Sequence, residues 1–245
     1  MRDQTSKTRN SRLRGAAERG SGTETAYTTL REMIVRGQLA PGSWVAESDL
    51  TSLLKMSRTP IRAALQWLQH EGYVLERGTG AKSKMMVAPL TVQDARELYA
   101  IVGAVEGIAG SHAAALSSKQ RNSLVARLEG LHSAMVKTAA SAAPDADLFT
   151  DTDTAFHDRI VEAGAGPRLL TIYKAIKPQT DRYWLLYAHG ITGDMEISCT
   201  EHAAIVDALA GGDSDSTERA LQANWANGAE RLAKAIVKFG ERGAW

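Results

Sequence analysis

Two groups of residues in this sequence have types and spacings that do chemistry. The first is Ser57-Arg58-Thr59-Pro60-Ile61-Arg62. Arg58 and Arg62 are four apart, so on a helix they share one face. Arginine grips guanine O6 and N7 as a bidentate pair, and a serine or threonine hydroxyl anchors to a phosphate or a base edge. The second group is Asp153 and His157, again four apart, with His202 later in the chain just after Glu201. A carboxylate and two imidazoles brought together from facing helices can hold a divalent ion such as zinc, nickel or manganese. Each group also has a plainer reading: two arginines on a solvated helix face, and histidines that are ordinary core or surface residues.

The elements around the first group favour its chemistry. Ser57 stands where an N-cap belongs, and Pro60 fits an early helical turn where its missing N–H costs nothing. Ile61, Ala64, Leu65 and Leu68 then recur at helical spacing as a buried back, and Gly72 is a natural stop. Upstream, residues 23–37 read as a helix with Ala26, Leu30, Met33 and Ile34 on one face. Pro41-Gly42 turns the chain into a short strand at Ser43-Trp44-Val45. Residues 47–54 form a second helix with Leu50, Leu53 and Leu54 inward. Downstream, Val74–Arg77 and Met85–Val87 read as strands flanking a basic Gly78–Lys84 tip. Three helices and a β-hairpin in this order make a winged helix-turn-helix, whose second helix of the motif enters the major groove. The wing offers lysines and open backbone to phosphates or the minor groove.

From Thr91 onward the pattern is helical throughout. Thr91 is positioned to cap a helix over residues 92–116, with Val92, Ala95, Leu98, Val102, Val105 and Ile108 on one broad face. Gly103, Gly107 and Gly110 weaken that helix but permit close packing. Further helices follow over residues 118–140, 145–163, 168–189 (kinked near Pro178), 194–210 and 214–240. The fold class is therefore mostly α: the winged unit over residues 23–90, then an all-α bundle of six or seven helices over 91–245. Residues 1–22 carry six Lys/Arg and almost no large apolar side chain, so they read as a disordered basic arm.

Charge divides the chain in the same place. Residues 1–90 hold 14 Lys/Arg against 8 Asp/Glu, whereas 91–245 hold 15 against 20, although the whole chain is only +1. A basic front on an acidic back suggests a polyanion-binding module joined to something else. A single cysteine, Cys199, excludes an intrachain disulfide framework and fits a reducing cytoplasm. No stretch approaches the ~20 apolar residues of a membrane span, and the N-terminus lacks the apolar core of a signal peptide.

One further cluster is Arg182-Tyr183-Trp184-Leu185-Leu186-Tyr187, in a chain with only 6% aromatic residues. With Tyr99 and Trp225 it can line an effector pocket, with Arg182 as its polar anchor. Equally, Trp184 and Tyr187 can be core or dimer contacts.

The N-terminal motifs resemble the DNA-binding domain of GntR-type bacterial transcription regulators. They are Tyr27-x-x-Leu30-Arg31, Ile34-x-x-Gly37-x-Leu39-x-Pro41-Gly42, Leu50-x-x-Leu53-Leu54, the Ser57–Leu68 run and Glu71-Gly72-Tyr73-Val74. The resemblance implies DNA contacts at Arg31, Ser57, Arg58, Thr59 and Arg62, and at the wing around Gly80 and Lys82. Ser48 stands where an arginine that also reads DNA is expected. The remainder is similar to the FadR-type ligand domain, FCD, through Glu106, Asp153-x-x-Phe156-His157-x-x-Ile160 and Glu201-His202-x-x-Ile205. That similarity implies a metal held by one Asp and three His, with an effector beside it. Asp153, His157 and His202 match, and the third His position falls on Asn224, a poorer ligand for zinc. Val102 stands where relatives commonly carry an arginine for an effector carboxylate. The resemblance implies a homodimeric, effector-responsive regulator on a near-two-fold double-stranded DNA operator, commonly a repressor released by a metabolite. The competing readings are a metal-dependent enzyme built on Asp153, His157 and His202 and a constitutive DNA-binding structural protein.

Overall fold

The computed structural model describes residues 22–78, 80, 83–187, 190 and 192–243. Residues 1–21 of the basic arm expected over 1–22, and Lys82 of the wing tip, lie outside the described residues. The chain divides into two compact units, one made of the residues up to Pro89 together with those from Arg242 onward, the other spanning Leu90–Glu241.

In the first unit, α1 (residues 22–35) buries Ala26, Leu30 and Ile34. Gly37 and Gly42 take the positive φ values of 70° and 77° that turn the chain into β1 (Trp44–Val45). α2 (Glu47–Leu54) ends at Lys55, which adopts φ 53° in the left-handed region. α3 (Arg58–His70) follows after two residues, and its buried positions are Ile61, Ala64, Leu65 and Leu68, the stripe expected from their spacing. Gly72, at φ 84°, releases the chain into β2 (Val74–Arg77), which returns as β3 (Lys84–Val87). β3 lies between its two antiparallel neighbours, in the order β1-β3-β2, with Met86 opposite both Trp44 and Leu75. One expectation fails here. Leu53 is 56% exposed, because a two-turn helix brings only one narrow stripe, led by Leu50, to the core.

The second unit contains α4 (Val92–Ala114), α5 (Ser118–Ala139), α6 (Ala146–Gly164), α7 (Pro167–Tyr187), α8 (Met195–Gly211) and α9 (Ser214–Phe239). Local signals set several starts. The Thr91 side chain accepts from the Asp94 N–H, Asp145 from Asp147 and Leu148, and Asp213 from Ser216. α4 lies in the middle, against α6, α7, α8 and above all α9. Its glycines explain that closeness. A Cβ at Gly103 would lie 2.9 Å from the Trp225 Cβ, and one at Gly110 would lie 2.2 Å from Leu221 Cδ1. Each glycine costs a helix about 1 kcal/mol relative to alanine, and the close approach of α9 offsets that cost. The α4 face departs from expectation at Ile108, which is 42% exposed. Ala109 takes the inward position, since the buried stripe runs through 98, 102, 105 and 109. α7 passes through Pro178 without ending, and the Thr180 hydroxyl donates to the Lys177 carbonyl beside it. No helix among the described residues is long and apolar enough to cross a membrane.

Candidate functional site

The tip of α3 is open to solvent. Ser57, Arg58, Thr59 and Arg62 are all exposed. Ser57 occupies the N-cap position with extended backbone, φ −71° and ψ 163°, but its side chain makes no capping hydrogen bond. Its hydroxyl is thus not consumed by the helix. Arg58 makes no hydrogen bond or ion pair among the described residues. Arg62 is held side-on by Glu47 at the start of α2, donating through Nε and Nη2 at 2.8 Å each. Arg62 has five N–H donors, so that grip leaves three of them, including both on Nη1, for another partner. On α1, Arg31 Nη1 donates to the Tyr27 hydroxyl at 3.3 Å, and Tyr27 in turn donates to Glu71 at 2.7 Å. Ser48 is exposed on α2, its hydroxyl turned to Asp49. Gly80 is exposed in the wing, with φ 58°.

The second group is the opposite in character. α6 carries Asp153 and His157 on one face, while Phe156 and Ile160, on the adjoining face, pack into the core with Ile205 and Leu209 of α8. α8 supplies His202. His157 is 2% exposed and His202 fully buried. His202 Nε2 lies 3.1 Å from Asp153 Oδ1 and 3.2 Å from His157 Nε2. The ligand atoms of all three residues lie within 4.8 Å of one another.

The other ring nitrogens are already committed. His157 Nδ1 faces Glu106 Oε2 of α4 at 2.5 Å, and His202 Nδ1 faces the Ser198 carbonyl at 2.7 Å. Where each acceptor takes the N–H of a neutral ring, each Nε2 presents a lone pair, and both lone pairs converge with a carboxylate. Such a convergence requires a positive charge between the groups, either a proton or a metal ion. An ion with ligands at about 2.1 Å needs donor atoms roughly 3.4 Å apart, close to the 3.1 and 3.2 Å that separate His202 Nε2 from Asp153 and His157. The donor set therefore fits a divalent metal. Burial disfavours the charged forms of Asp153 and His157, but their partners outweigh it. The hydrogen bond from His202 and the charges of His157, His202 and Lys177 hold the Asp153 carboxyl at about 2. Glu106 and Asp153 raise His157 above the ordinary imidazole value.

Asn224, on α9, lines the same cavity as Asp153 and His157, with its amide Nδ2 donating to Glu201 Oε2 at 2.9 Å. Glu201 also accepts from Asn227 and takes both terminal nitrogens of Arg231 at 2.8 and 2.9 Å. A carboxylate so fully engaged is not free to act as the general base that the enzyme reading would require. Beside the cluster lies a cavity of about 40 Å³. Tyr99, Phe149, Trp184, Met195 and Trp225 form its apolar wall, and Asp153, His157, Asn224 and Arg231 are among its polar lining.

The profile of the bacterial regulatory proteins of the gntR family matches residues 23–81, and that of the FCD domain matches residues 97–227. The chain belongs to the GntR family, in its FadR-type branch. As such it is a DNA-binding transcription regulator. An HTH-type transcriptional regulator of Agrobacterium vitis is 31% identical to it over 140 residues, covering 57% of this chain and 79% of the relative. The gluconate operon transcriptional repressor of Bacillus licheniformis is 26% identical over 200 residues, covering 80% and 79% of the two chains. A GntR transcriptional regulator from Rhodococcus sp. RHA1 has the same fold, with a TM-score of 0.63 and 20% identity over 87% of this chain and 98% of its own.

Within this GntR regulator the structure brings together Asp153, His157 and His202, and places Asn224, Tyr99 and Trp225 in the lining of the adjoining cavity. It does not bring Arg182 there. Arg182 is 3% exposed and lies two residues from Trp184, about 200° around α7, so it faces away when Trp184 faces the cavity. Val102 is fully buried in the core and supplies no cation. Two residues were not singled out for a role from sequence. Arg231 continues the series Asn224, Gly228, Arg231, which helical spacing places on one face. Glu106 counts from sequence only as one of the residues that carry the FCD resemblance, with no role attached.

Proposed function

We propose that this regulator is a repressor that binds its operator as a homodimer and is released by a small molecule held in the FCD domain. In this reading residues 23–90 read DNA and residues 91–245 dimerise and bind the effector, in the cytoplasm. Arg58 and Arg62 address base edges. Ser57, Thr59, Arg31 and Ser48 anchor to the backbone with the wing around Gly80 and Lys82. Asp153, His157 and His202 hold a divalent ion, with the Asn224 carbonyl or water completing the shell, and Tyr99 and Trp225 meet the effector. When bound, the metal supplies a Lewis-acidic point for an oxygen donor of the effector. The residues themselves fix tautomers, exclude water and shape the wall.

The observation that carries the reading is the convergence of two imidazole Nε2 atoms and one carboxylate beside an aromatic-walled cavity. Such a site makes response to a small molecule a matter of differential affinity: the effector shifts the protein only by binding one arrangement of the domains better than another. The enzyme alternative is disfavoured by the commitment of Glu201 to Arg231.

The test combines two assays. In a mobility shift on the DNA upstream of its own gene, wild type should discriminate that fragment from random duplex, whereas the Arg58→Ala, Arg62→Ala double variant should not. Equal binding of both DNAs by both proteins would defeat the DNA assignment. Protein purified without chelator should carry about one metal per chain, and an empty protein at micromolar zinc, nickel and manganese would defeat the metal assignment.

A further inference from the structure

Glu106 is fully buried, and one of its oxygens does two jobs. Oε2 lies 2.5 Å from His157 Nδ1 and accepts the indole N–H of Trp225 at 2.7 Å. Trp225 is at once a wall of the cavity and a neighbour of the cluster, its ring 5.3 Å from that of His157. The ring has little freedom of its own: it meets Tyr99 edge-on at 5.0 Å, and Gly103 leaves just enough room for its Cβ.

We propose that Glu106 and Trp225 are positioning residues that tie the metal to the cavity wall, so that metal affinity and the hold on the Trp225 indole form one equilibrium. The inference rests on the metal reading given above. A cation at Nε2 draws electron density from the His157 ring and makes its Nδ1–H a stronger donor. Oε2 then commits more of its charge to His157 and less to the indole. The linkage is reciprocal, so whatever loosens the indole from Oε2 strengthens the His157 bond and with it the metal. In a buried, poorly screened place the competition for one oxygen is felt strongly. An occupant of the cavity that pulls on Trp225 thereby reports to the metal, without touching it.

The test measures zinc affinity by competition with a chelating dye, on full-length wild type and two near-isosteric variants. Glu106→Gln keeps an oxygen for both N–H groups but removes the charge, and should weaken zinc about 10–100-fold. Trp225→Phe keeps the ring and removes the competing N–H, and should tighten zinc about threefold. Opposite signs support the tie, because damage to packing would weaken zinc in both. Parallel losses, or an unchanged Trp225→Phe, overturn it even if zinc binds wild type normally. Failure of wild type to take up zinc would overturn the inference together with the metal reading. Circular dichroism of the zinc-free proteins checks folding, and if Glu106→Gln loses its helix signal, the sign from Trp225→Phe decides.

Discussion

The tip of α3 and the Asp–His cluster of the FCD domain solve opposite problems with similar side chains. At the tip, charge is left in water. Ser57 declines its capping bond, Arg58 stands without a hydrogen-bonding or ion-pairing partner among the described residues, and Arg62 is steadied by a single partly exposed carboxylate. Such groups cost the fold little, because solvent screens them, and they remain available to phosphates and base edges. In the cluster the polar groups are almost entirely out of water, and nearly every hydrogen-bonding atom is spoken for by Glu106, Ser198 or Asp153. A buried polar group without a partner costs about 1–3 kcal/mol, so the neighbours leave just one direction in which the imidazole lone pairs can point. A recognition surface gains by leaving bonds unmade. A metal or effector site gains by making all bonds except the ones its ligand will use.

The comparison can be broken most sharply at a proposed metal ligand. His202→Ala should lower zinc affinity by more than the roughly 100-fold that residues behind the ligands cost, measured by dye competition, while DNA affinity in a mobility shift stays near wild type. Loss of DNA binding in the folded variant would refute the division of labour between the two regions. Next in size is packing around α4. Gly110→Ala forces a Cβ against Leu221 Cδ1 and should destabilise the protein by about 1–3 kcal/mol in chemical denaturation, with the DNA tip unaffected in the folded fraction. Of similar size is Arg58→Ala, which should cost about 1–3 kcal/mol of discrimination between operator and random DNA, with no change in zinc affinity or melting temperature. The smallest effect belongs to Glu47→Gln. Removing its charge frees Arg62 and lessens the negative potential at the tip, so affinity for random duplex should rise about two- to threefold at low salt and converge with wild type at high salt. A salt-independent change would mean that Glu47 acts by shape instead.

How much was legible follows from how local each feature is. The stripe Ile61, Ala64, Leu65, Leu68 and the arginines beside it are all set by one helix's period, so spacing alone was sufficient. Asp153 and His157 share a helix and were legible as a pair for the same reason. Hydropathy alone points Leu53 and Ile108 inward, yet each sits about 60–100° off the stripe that its neighbours occupy. Arg182 was assigned to the cavity by its proximity to aromatic residues in sequence, and helical geometry turns it away from the side that Trp184 uses.

The residues by themselves determined a basic winged helix-turn-helix ahead of an acidic helical bundle, the cationic tip of α3, and the family to which both belong. These follow from periodicity, caps, turns and motifs that act over a few residues at a time. Only the tertiary structure decided that Glu106 stands behind His157, that Trp225 shares its oxygen, that Arg231 locks Glu201, and that Asn224 bonds to Glu201 at the cavity. Those contacts join α4, α6, α8 and α9 across as many as 119 positions of sequence. Their reason for existing, the need of each buried polar group for a partner, acts only once the helices have packed and water has gone.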